Sequence, residues 1–135
     1  MSFLLSVLDA CSRQPSYPPP TRQGADIVID IAGLQPETPK FYTYYYQGKK
    51  INFFVCRIQD KVLSFLDACA SCYTQKRGYR SEEGKVTCRD CNMKFSVYQL
   101  EKGLGSCYPI KIEGRTKDGK YLIPVAALEG SADMF

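Results

Sequence analysis

KFYTYYYQGKKINFFVCRIQDKVLSFLDACASC, residues 40–72, decides the fold class. Lys40–Tyr46 is dense in aromatic and β-favouring residues, and it stops at Gln47-Gly48, a turn signal. Ile51–Ile58 follows, which makes the pair a hairpin. Gln59-Asp60 marks the next turn, into a third strand over Lys61–Leu66. The tyrosine run reads as a strand with aromatics on both faces rather than as a stacking platform. Cys56, in mid-strand, reads as a small buried hydrophobe. The third strand runs almost directly into Cys69-Ala70-Ser71-Cys72.

Working outward, Asp26–Ile31 alternates polar and apolar, the mark of a half-buried strand. Ser96–Lys102 has the cast of a short helical turn. Lys120–Val125 is a last strand, where Pro124 suits a sheet edge or a strand end. The fold class is therefore a mainly β, small single domain with cysteine pairs on loops and short helical turns. A chain of 135 residues, 44% hydrophobic, supports one core and not two.

Residues 1–24 read as a separate tether and residues 25–135 as the folded domain. Met1–Leu8 is apolar, and Pro15, Pro18, Pro19 and Pro20 favour an extended, unpacked segment. Leu8-Asp9-Ala10-Cys11 resembles the end of a bacterial lipoprotein signal peptide, which would make Cys11 a lipid anchor. The apolar run is shorter than such signals, and Asp9 departs from their pattern. No stretch approaches the 18 or so apolar residues of a spanning helix.

The chain has no histidine and no tryptophan. That excludes Ser-His-Asp and Cys-His catalysis and His-ligated zinc sites. Chemistry must rest on sulfur, carboxylates, Lys or Tyr. The formal charge of +4 would fall to about +2 once four thiolates held a divalent ion. Lys76, Arg77 and Arg80 form the one basic cluster, read as a solvated loop, so no nucleic-acid partner is expected. Asp67, Glu82, Glu83 and Asp90 lie near the cysteines and read as solvated loop carboxylates. No catalytic residue is assigned.

Of seven cysteines, four stand as two tight pairs: Cys69 and Cys72, then Cys88 and Cys91. The spacing is C-x2-C-x15-C-x2-C. Two residues between thiolates let one turn aim both sulfurs at a shared point, and two such knuckles give four tetrahedral corners. Gly78 and Gly84, with Ser81, Glu82 and Glu83, read as a flexible polar return between them. A thioredoxin-type dithiol would open a helix of useful length, and none follows either pair. Spacing leaves the metal open: zinc would be structural, and iron would add electron transfer. Met93 reads as packing over the site, with Phe95 and Tyr79 as its hydrophobic wall.

The order of phrases from Phe41 to Ile112 resembles the FtrD-like iron–sulfur proteins. It comprises the aromatic strand, Gly48-Lys49-Lys50-Ile51-Asn52-Phe53-Phe54-Val55, and Leu66-Asp67-Ala68-Cys69-x-x-Cys72. Gly78-Tyr79-Arg80, Cys88-x-x-Cys91-Asn92-Met93-Lys94-Phe95 and Gly105-Ser106-Cys107-Tyr108-Pro109 complete it. Asn92 and Ser106 stand where that family usually has glycine. The resemblance implies a cysteine-ligated iron–sulfur cluster or single iron, with zinc as the alternative, at Cys69, Cys72, Cys88 and Cys91. Cys107 would be an accessory ligand, a cap, or a bond to another Cys. The second knuckle is also similar to a Rieske cluster loop, Gly105–Pro109 standing in for its proline loop; a zinc-ribbon-like site is the other form. The resemblance further implies a membrane-anchored protein of the bacterial cell envelope, on its extracytoplasmic side. There it would transfer electrons or handle iron beside a ferrous iron permease or another redox partner. The alternative is a zinc-stapled interaction module without redox activity.

Overall fold

The computed structural model describes residues 14–135, and it is mainly β as expected. Lys40–Tyr46 (β3), Lys49–Ile58 (β4) and Lys61–Cys69 (β5) form an antiparallel sheet that Pro109–Ile112 (β9) completes in the order β3-β4-β5-β9. Gln47 and Gly48 both take positive φ, 49° and 76°, as a tight hairpin with right-handed strand twist requires. Ile51 through Cys56 are all buried, because both faces of β4 are covered.

Odd positions Ile51, Phe53 and Val55 face a second sheet. It is built from Thr21–Gln23 (β1), Asp26–Asp30 (β2), Lys120–Pro124 (β11) and Arg115–Lys117 (β10), in the order β1-β2-β11-β10. Ile27, Ile29, Tyr121 and Ile123 fill the gap, and Val125–Glu129 (α1) closes its end with Val125 and Leu128. Even positions Phe54 and Cys56 face a third, smaller sheet of Tyr79–Glu82 (β6), Lys85–Cys88 (β7) and Lys94–Ser96 (β8). Phe54 stacks on Phe65 and Phe41 and meets the edge of Tyr79, which in turn meets the edge of Phe95. This aromatic column joins the central sheet to the cysteine-bearing one.

Two expectations change. Residues 14–20 are extended but packed, because polar groups on β3 and β4 take them up. Tyr17 donates its backbone N–H to Thr43 Oγ1 at 2.8 Å, and Asn52 Nδ2 donates to Pro15 O at 2.9 Å. Tyr17 also packs on Phe41, so the segment covers the open edge of β3. The return between the knuckles is the β6–β7 hairpin, with Glu83 and Gly84 at φ 51° and 76°. Pro124 ends its strand, the second of the two places expected for it, and β11 itself lies inside its sheet, between β2 and β10. The helical turn over Ser96–Lys102 is present as a 3₁₀ turn at Val97–Gln99, closed by a Ser96–Gln99 capping box. Cys11 and the apolar Met1–Leu8 lie outside the described residues.

Candidate metal centre

Each cysteine pair begins at a strand end and turns at once. Cys69 closes β5, and Cys72 donates its N–H back to Cys69 O at 3.2 Å before a 3₁₀ turn at Tyr73–Gln75. Cys88 closes β7, and Asn92 donates to Cys88 O at 2.9 Å. Asn92 sits at φ 61°, left-handed backbone that Asn tolerates, so the glycine usual there is replaced without loss of the turn. Cys88 N–H then reaches Met93 O at 2.9 Å, sealing the knuckle.

A third loop joins them. Leu104 and Cys107 exchange backbone hydrogen bonds of 2.9 and 3.1 Å, and Ala70 donates to Tyr108 O at 2.9 Å. Gly103 makes this possible: its φ is 71°, and a Cβ there would fall 2.4 Å from Tyr108 Cβ.

Five sulfurs converge. Those of Cys69, Cys72 and Cys88 lie within 4.8 Å of one another, as do those of Cys88, Cys91 and Cys107. Cys107 Sγ is 3.3 Å from both Cys69 Sγ and Cys91 Sγ. Cys69, Cys88 and Cys107 are buried, Cys72 is half-buried and Cys91 is exposed. Cys56, the remaining described cysteine, belongs to neither set; burial pushes its thiol up to about 11, as suits an inert core residue.

Within the cluster the thiols share protons unequally. Burial pushes Cys69 up, but hydrogen bonds from the Ser71 hydroxyl and backbone, the Cys107 thiol and Tyr79 outweigh it and bring Cys69 down to about 6. Cys91 is also lowered, because donors at Met93 N, Cys107 and Cys88 outweigh its burial. Cys107 is raised, first by burial and then by its hydrogen bonds with Cys69 and Cys91. Such a set sheds its protons to a soft cation.

Tyr79 and Phe95 are fully buried beside the sulfurs, as expected, and Tyr79 Oη lies 3.9 Å from Cys107 Sγ. Met93 does not pack over the site. It is 41% exposed, because the strand that follows turns Phe95, not Met93, inward. Asp67 is no loop carboxylate: it lies in β5, fully buried, two residues before Cys69 and on the same face. Its Oδ1 accepts the Tyr79 N–H at 2.5 Å, and its Oδ2 has no partner among the described residues. Burial pushes its carboxyl up to about 7, against the pull of the Tyr79 N–H and of Arg89. The basic cluster is partly spent locally, with Arg80 on Glu82 at 3.0 Å and Lys76 on Phe135 O at 3.2 Å.

A family model described as membrane iron-sulfur containing protein FtrD-like matches residues 34–135. The chain belongs to the FtrD-like family. No curated protein matches the chain. The match takes in all three sheets' later strands and every one of the five clustered cysteines.

The donor set fits the centre that the FtrD-like family name carries. All five candidate donors are soft sulfur, and among the described residues neither set includes a carboxylate of the kind that harder ions choose. Thiolates about 2.3 Å from one tetrahedral ion stand roughly 3.8 Å apart. The sulfurs of each set, all within 4.8 Å of one another and two pairs at 3.3 Å, are compatible with that value. Metal binding through these clusters is therefore the property the family and the geometry share. The family is described as a membrane one, while no helix among the described residues is long and apolar enough to cross a membrane.

Proposed function

We propose that this FtrD-like protein holds iron through Cys69, Cys72, Cys88 and Cys91, and passes electrons or iron to a partner at the cell envelope. The observation that carries the reading is that five cysteine sulfurs from three loops gather in two three-membered sets sharing Cys88 and bridged by Cys107, within a chain of an iron–sulfur family. Iron bound there would supply a one-electron couple.

The protein's own residues would set the working conditions. Buried Tyr79 and Phe95 limit water on the inner side. On the outer side Cys91 is open, and Tyr73, Met93 and Tyr108 expose apolar surface beside the knuckles. Such an edge suits short-lived docking of a redox partner or an iron permease. We place the protein at the extracytoplasmic face of the bacterial envelope, with the segment before residue 14 as tether and Cys11 as its lipid anchor. The metal-binding domain would take in residues 14–24 as well as 25–135, since residues 14–20 pack on β3 and β4 and Thr21–Gln23 is a strand of the second sheet.

Anaerobic purification followed by elemental analysis, visible spectroscopy and paramagnetic resonance tests the reading. One thiolate-bound iron centre per chain, cycling between two redox states, is the expected result. A colourless protein with one redox-silent zinc would leave an interaction module stapled by metal and end the electron-transfer reading.

A further inference from the structure

A tetrahedral ion takes four thiolates, and this site offers five. The surplus is not peripheral. Cys107 is 4% exposed, lies 3.3 Å from one sulfur of each knuckle, and sits on a loop held by paired backbone hydrogen bonds and by Gly103. Cys91, by contrast, is the exposed member of the set. By residue exposure, the four most covered cysteines of the set are Cys69, Cys72, Cys88 and Cys107, which is not the quartet that the paired spacing selects.

We infer that Cys107 is a fifth ligand, which takes over the ion when Cys91 leaves it. The inference rests on the metal-binding reading and adds to it an exit path. In the exchange the metal–sulfur bond to Cys91 breaks and one to Cys107 forms. The Cys107 thiol gives up its proton and the departing Cys91 thiolate gains one, so charge and oxidation state are unchanged. Cys88 belongs to both sulfur sets and stays bound throughout. Cys91 then stands free at the surface, where an acceptor's ligand can approach the ion.

The test uses the full chain, loaded anaerobically with cobalt(II) or iron(II). In the loaded wild type, iodoacetamide should modify Cys91 while Cys69, Cys72 and Cys88 stay protected. Protection of Cys91 equal to that of the other three overturns the exchange. Cys91→Ser should still bind one ion with a four-thiolate cobalt spectrum, Cys107 filling the place. Cys107→Ser should bind one ion through the paired cysteines but release it to a chelator roughly tenfold more slowly. A three-thiolate spectrum in Cys91→Ser, or release from Cys107→Ser at the wild-type rate, sinks the proposal. Should the wild type bind no ion at all, the metal-binding reading falls first and takes the exchange with it.

Discussion

The carboxylate of Asp67 lies directly against Gly78: a Cβ on Gly78 would sit 2.7 Å from Asp67 Oδ1 and 2.9 Å from Oδ2. That contact ties the strand leading into the first knuckle to the hairpin leading into the second. Arg89, between the second pair, extends the tie by donating its backbone N–H to Gly78 O at 2.9 Å and its Nε to Tyr79 O at 3.2 Å. Gly78 is at φ 68° as well, so Gly78→Ala meets both strain and a buried carboxylate. We expect a loss of about 3 kcal/mol in denaturant unfolding, and weaker metal retention as the knuckles part. Wild-type stability in Gly78→Ala would show that the tie is not needed.

Asp67 also makes a pH prediction. Its folded pKa, about 7, lies above the ordinary carboxyl value of 3.8, so the folded state binds the proton more tightly. The resulting stabilisation is complete below about pH 4 and is lost as pH rises through about 7. Three pKa units correspond to about 4 kcal/mol over the whole range, and to about 3 kcal/mol between pH 5 and pH 8. Asp67→Asn keeps an acceptor for the Tyr79 N–H and removes the titration. Its stability relative to wild type should therefore rise by that order between pH 5 and pH 8, the metal's own pH dependence being common to both. A difference that does not change with pH counts against a buried, titrating Asp67.

What the sequence disclosed and what it hid divide along physical lines. The β3–β4–β5 run was legible because its turns carry Gln47-Gly48 and Gln59-Asp60, and its strands are long. The paired cysteines were legible because two-residue spacing is itself a local geometry. Short β6, β7 and β8 were not, since Tyr79–Glu82 and Lys85–Cys88 are only four residues each and stand up only against Phe54 and Phe65. Cys107 was noticed but not placed, because nothing local to Gly105-Ser106-Cys107 encodes its arrival beside Cys69. Asp67 was misread as solvated although one signal was available. Period-two alternation puts residues 65, 67 and 69 on one face, and Phe65 and Cys69 are buried there.

Cys88→Ser should be the most damaging single exchange of sulfur for oxygen. Its sulfur is common to both three-membered sets, and the residue is 1% exposed. Loss of a structural metal in a small domain is worth on the order of 10 kcal/mol, so Cys88→Ser should purify without metal and melt well below wild type. Cys56→Ala, which leaves the site intact, should keep its metal and lose only the packing of a small buried side chain. Equal metal content in Cys88→Ser and wild type would remove Cys88 from the ligand set.

Tyr79→Phe isolates a single hydroxyl. Tyr79 is fully buried, its Oη lies 3.9 Å from Cys107 Sγ, and it also hydrogen-bonds the Cys69 thiol. The ring packing against Phe54 and Phe95 survives the change, so stability should fall by only about 1 kcal/mol. The effect on a bound iron should be larger in kind. A hydroxyl aimed at sulfur stabilises the more negative, reduced state, and removing it should lower the reduction potential. Voltammetry on wild type and Tyr79→Phe reads this directly. A potential that does not move would mean that the hydroxyl points its proton away from the sulfur and that Tyr79 serves the site as wall alone.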